Sequence, residues 1–135
     1  MILLDTSYVL AAVNPRDALH DRAVAWSNVI AEPLLVTEYV LWESVNYLSS
    51  PVDRPKAHAV ADQLRSSAGI GFVEASQELL NEGLRMHAGR PDKAWSLTDC
   101  ISIVLMEERS ITRALAYDHH FEQAGFEALL RRDPP

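Results

Sequence analysis

Short apolar runs recur at Ile2–Leu4, Leu34–Val36, Ile70–Val73 and Ala114–Tyr117, and the segments between them space their apolar residues every three to four positions. The runs are too brief to be helices, and turn or capping residues follow them: Asp5-Thr6-Ser7 after the first, Thr37 after the second, Ser76 soon after the third. Helices are predicted at Tyr8–Val13, Ala18–Ala31, Glu38–Leu48, Arg54–Ser67, Gln77–His87 and from Ser96 to about Glu108. A brief helix and an edge strand over Gly125–Leu130 would close the chain. Strands alternating with helices predict an α/β protein, a three-layer α/β/α sandwich with a mostly parallel four- or five-stranded sheet. At 135 residues, 48% of them hydrophobic, one domain spanning residues 1–135 is expected.

Four carboxylates fall where solubility does not explain them. Asp5 directly follows the first apolar run and Asp118 the last, which places both beyond strand ends, where ligands bind in parallel sheets. Asp99 sits in Ser96-Leu97-Thr98-Asp99, a capping-box pattern at a helix start. Each of these three has a helix-capping reading as well as a ligand reading. Glu43 is different, because Tyr39, Val40, Leu41, Trp42, Val45, Tyr47 and Leu48 surround it. A helix apolar on nearly every side is buried, and a charge buried there needs an Arg partner or a cation shared with other carboxylates. Gathered by the fold, the four acids would offer hard oxygen ligands to Mg²⁺ or Mn²⁺. Thr6, Ser7 and Thr98 adjoin them and can either cap helices or support that site.

Composition excludes several alternatives. The one cysteine, Cys100, rules out an intrachain disulfide or thiolate zinc cage, and its apolar neighbours predict a buried, inert thiol. His119 and His120 are adjacent, and His20, His58 and His87 lack ligand spacing, so the histidines read mostly as surface residues, with a substrate contact by His119 or His120 as the alternative. Trp26, Trp42 and Trp95 read as packing residues rather than base-stacking platforms, although the position of Trp95 in the loop before Asp99 leaves an exposed ring open. No apolar run approaches a membrane span, and the N-terminus lacks secretory-signal features, so a cytoplasmic protein is expected. A net charge of −7 disfavours generic nucleic-acid coating unless metal neutralises some of the acids.

Taken in order, Ile2-Leu3-Leu4-Asp5-Thr6-Ser7, Thr37 to Glu43, Ser96-Leu97-Thr98-Asp99-Cys100 and Ala116-Tyr117-Asp118-His119-His120-Phe121 resemble a PIN domain, particularly the VapC-type toxin ribonucleases of bacterial toxin–antitoxin pairs. The resemblance implies a nuclease site in which Asp5, Glu43, Asp99 and Asp118 bind one or two Mg²⁺ or Mn²⁺ ions directly or through water, with Thr6 and Thr98 supporting. It also implies an RNA substrate, a small antitoxin partner and a homodimer. Ala116 departs from the pattern, since many relatives carry a hydroxyl residue two positions before the last acid. Two alternatives to metal-dependent RNA hydrolysis stay open: phosphoryl transfer through an aspartyl phosphate on Asp5, and a non-catalytic RNA- or protein-binding module.

Overall fold

In the computed structural model, which describes residues 1–135, each apolar run expected as a strand forms one. The order is β1 (Ile2–Leu4), α1 (Thr6–Val13), α2 (His20–Val29), β2 (Leu34–Thr37), α3 (Glu38–Tyr47), α4 (Arg54–Ser66) and β3 (Ile70–Val73). There follow α5 (Gln77–Gly89), α6 (Leu97–Glu108), β4 (Arg113–Leu115), α7 (His120–Gln123), β5 (Glu127–Ala128) and a 3-10 helix at Leu129–Arg131. The five strands lie in the order β3-β2-β1-β4-β5, and every pairing is parallel.

Strand alternation divides the apolar side chains between the two faces. Ile2, Leu4, Val36 and Leu115 point into one cluster with Val9, Trp26, Val40, Val60 and Leu64, so helices α1 to α4 cover that face. Leu3, Leu35, Ala114 and Ala116 point into the other, with Ile103, Leu105 and Met106 of α6 and with Phe121. Helix α5 packs on α6. The result is the expected three-layer sandwich. Gly125, at φ +93°, turns the chain out of α7 toward β5 in a conformation that favours glycine.

Several expectations need correction. The strand predicted over Ala114–Tyr117 stops at Leu115, because the next polar groups leave the sheet: the Ala116 carbonyl accepts from Leu130 N (3.1 Å) and Tyr117 N donates to Ser7 Oγ (3.2 Å). The edge strand predicted over Gly125–Leu130 is only Glu127–Ala128. Trp95 packs as expected and is buried despite its loop position, with Nε1 donating to Gln123 Oε1 (3.0 Å). Trp42 is 63% exposed and is no packing residue, unlike Trp26. Cys100 is fully buried, and burial pushes its thiol pKa up, helped by the neighbouring Asp99 charge. No helix is long and apolar enough to cross a membrane.

Candidate functional site

In the order β3-β2-β1-β4-β5, chain connections leave β1 toward β2 on one side, while β4 and β5 extend the sheet on the other. Crevices open at the carboxyl ends of strands where the winding reverses in this way. Here the reversal falls between β1 and β4, and Asp5 follows β1 directly while Asp118 lies in the turn beyond β4. A cleft of about 410 Å³ opens there, lined by Asp5, Glu43, Asp99 and Asp118 together with Thr6, Ser7, Asp17, Ser96 and His120. The fold therefore brings all four predicted acids to one cleft, three of them from helix starts or strand ends and Glu43 from the middle of α3. Thr6 is there as well; Thr98 does not line it.

Asp5 is both a helix cap and a buried acid. Its Oδ2 accepts from Ser7 N (3.2 Å) and Ser7 Oγ (2.7 Å), which starts α1. It is 4% exposed, and its pKa is pushed up to about 7. Burial is the main cause, the Ser7 hydrogen bonds partly oppose it, and the charges of Asp99 and Asp118 push it further up. The folded chain therefore keeps a proton that the unfolded chain releases near pH 3.8. Stability contributed by this group is complete below that value and is lost as pH rises through about 7.

Asp99 realises the capping box: Ser96 Oγ accepts from Asp99 N, and Asp99 Oδ2 accepts from Ser96 N, both at 3.0 Å. The same Oδ2 lies 2.9 Å from His120 Nδ1. Capping and site roles thus coexist in one side chain. In Asp5 as in Asp99 every protein hydrogen bond falls on Oδ2, which leaves Oδ1 of each without a protein donor. Thr6 Oγ1 is buried and has no hydrogen-bond partner at all, an arrangement that costs free energy unless a ligand or water supplies one.

Glu43 reaches the cleft for a different reason from the one expected. Helix α3 is not enclosed, since it buries only Val40 and Ser44 while Trp42 and Tyr47 stand 63% and 70% exposed. Glu43 is half-buried at the cleft wall, and no Lys or Arg lines that cleft to pair with it. Asp118 is exposed. The four acids share a cleft but not yet one coordination sphere: no three of the His, Cys, Asp and Glu side chains stand close enough to ligate a single ion directly.

Three cleft residues lay outside the predicted set. His120, expected at the surface, is bonded to Asp99 across 21 positions of sequence, a contact with no local signature. Ser7, expected to cap a helix or support the site, does more than either reading and ties Asp5 to Tyr117 N beside Asp118. Asp17 accepts from Leu19 N (2.8 Å) in the loop after α1, where Asn14-Pro15 reads simply as a helix breaker.

Comparison with known proteins agrees with this architecture. Over 128 residues, covering 93% of this chain and 95% of the relative, the chain is 28% identical to the protein named 23S rRNA-specific endonuclease VapC20 from Mycobacterium tuberculosis. The crystal structure of VapC20 superposes with a TM-score of 0.86 at 24% identity, covering 93% of this chain and 96% of that one. FitAcB from Neisseria gonorrhoeae superposes with a TM-score of 0.66 at 20% identity, over 95% of this chain and 96% of its own. The family model for the PIN domain matches residues 2–127, and the chain belongs to the PIN domain family.

Proposed function

We propose that this chain is an endoribonuclease that hydrolyses RNA phosphodiester bonds with Mg²⁺ or Mn²⁺, and that it is the toxin of a toxin–antitoxin pair. The observation that carries the reading is the meeting of Asp5, Glu43, Asp99 and Asp118 in one cleft at the β1–β4 reversal of the sheet. The name of VapC20, an endonuclease specific for 23S rRNA, and the description of its crystal structure as a sarcin-ricin-loop-cleaving toxin support it. The antitoxin partner and a homodimer are carried over from the family resemblance.

The donor set suits a hard cation. Mg²⁺ retains several waters and takes one or two carboxylates, and Asp5 and Asp99 each present one oxygen without a protein donor. Glu43 and Asp118 would complete the site through water, and Thr6 Oγ1 would find its missing partner in the same hydrated shell. Bound there, the cation would supply a Lewis acid that lowers the pKa of a water and offsets charge on the phosphate. The protein's own part is positioning. His120 and Ser96 fix the Asp99 carboxylate, Ser7 fixes that of Asp5, and the buried Asp5 would hold a cation in its ionised form.

The test is incubation of total RNA with the purified chain in Mn²⁺, in Mg²⁺ and in EDTA, followed by mapping of the new ends. Discrete cuts that need the cation are expected. RNA retained by the chain but left intact under every condition would replace this reading with that of a binding module.

A further inference from the structure

The cleft carries no lysine or arginine, and the chain has a net charge of −7, so an RNA cut there must be gripped by something other than a basic floor. The residue before Asp118 offers a different kind of grip. Tyr117 is flanked by Ala116, which is fully buried, and yet it stands 41% exposed. Its aromatic ring therefore gains little from folding.

The ring is nonetheless held in place. Tyr117 N donates to Ser7 Oγ (3.2 Å), the same hydroxyl that bonds Asp5, and Tyr117 O accepts from Arg131 Nη1 (2.8 Å). The Arg131 guanidinium lies over the ring at 5.1 Å from its centroid, while its Nε pairs with Glu122 at 2.9 Å. Both backbone polar groups of one loop residue are thus fixed by side chains from α1 and from the 3-10 helix. The guanidinium backs one side of the ring.

We propose that Tyr117, backed by Arg131, is a stacking platform for an unpaired RNA base next to the bond that is cut. The inference rests on the ribonuclease reading and adds to it how the substrate is held. Its physical basis is that base–aromatic stacking needs no positive charge and tolerates any base, whereas no lysine or arginine lines this cleft to hold the flanking phosphates. It also makes a single-stranded or looped RNA the preferred substrate class, because a paired base cannot reach an aromatic face. Its backbone sets the location, since Tyr117 directly precedes the cleft residue Asp118 and its N–H meets the Ser7 hydroxyl that also bonds Asp5, which puts the residue at the rim of the cleft.

The test uses a single-stranded oligoribonucleotide bearing a mapped cut site, and versions with an abasic nucleotide on the 5′ or the 3′ side of the cut. On the intact oligonucleotide Tyr117→Ala is expected to raise KM roughly tenfold with kcat within about twofold, while Tyr117→Phe stays near wild type. On one of the two abasic versions the wild-type KM should rise by a similar factor and Tyr117→Ala should add nothing further. An unchanged KM for Tyr117→Ala, or a penalty of the same size on both abasic oligonucleotides, would overturn the platform while leaving the ribonuclease intact. No cleavage by the wild type would remove both.

Discussion

Asp99→Asn is expected to lower RNA cleavage by at least about 100-fold while the protein stays folded. The size follows from what the carboxylate does. Asp99 has one oxygen committed to Ser96 N and His120 Nδ1 and a second without a protein donor, in a cleft shared with Asp5. An amide keeps an oxygen for the capping bond but loses the charge that would hold a cation. Fold and chemistry can be separated by Ser96→Ala, which removes the helix cap and should cost about 1 kcal/mol in stability, seen as a lower melting temperature. If that variant retains most cleavage and Asp99→Asn does not, the loss belongs to the carboxylate and not to the start of α6. Near-wild-type cleavage by Asp99→Asn would remove Asp99 from the site.

The largest effect on stability is expected at the contact of α5 with α6, at Gly83→Val. Gly83 lies inside α5 against α6, and a Cβ there would meet Ile101 Cγ1 at 2.4 Å and Leu97 Cδ1 at 3.4 Å. Ile101 is 1% exposed and branched at Cβ, so its Cγ1 has little room to retreat. For Gly83→Ala, helix propensity favours the change by about 1 kcal/mol, but overpacking costs about 1 to 3 kcal/mol. A net loss near 1 kcal/mol should result. Valine adds two methyl groups and regains little propensity, so Gly83→Val should lose about 3 kcal/mol and melt roughly 10 °C lower. A higher melting temperature for Gly83→Ala would show that the two helices do not approach this closely.

Local patterns made much of this structure readable from sequence. Asp5 after β1 and the capping box at Asp99 are encoded within a few residues, and the structure realises both as hydrogen bonds. Glu43 lines the cleft, but not because its helix is enclosed: counting apolar letters around α3 does not show that Trp42 and Tyr47 face outward. Trp95 packs as its composition suggests, but the partner of its indole N–H, Gln123, lies 28 positions away and leaves no local trace. The contact between His120 and Asp99, the close approach at Gly83, and the exchange of sheet bonds for Ser7 and Leu130 beyond β4 all depend on tertiary packing. Spacing within one element carries no trace of them.

The account's central claim is that these acids form a cation site, and it is tested most directly by melting wild type and Asp5→Asn with and without Mn²⁺, at about pH 5 and about pH 8. Without metal, the ionised buried Asp5 weakens the wild type at the higher pH, so Asp5→Asn should melt several degrees above it there, with the gap narrowing at the lower pH. Saturating Mn²⁺ should then raise the wild type at the higher pH by about 5 °C or more and Asp5→Asn by much less. Equal shifts in the two proteins, or none in either, would contradict a cation site built on Asp5.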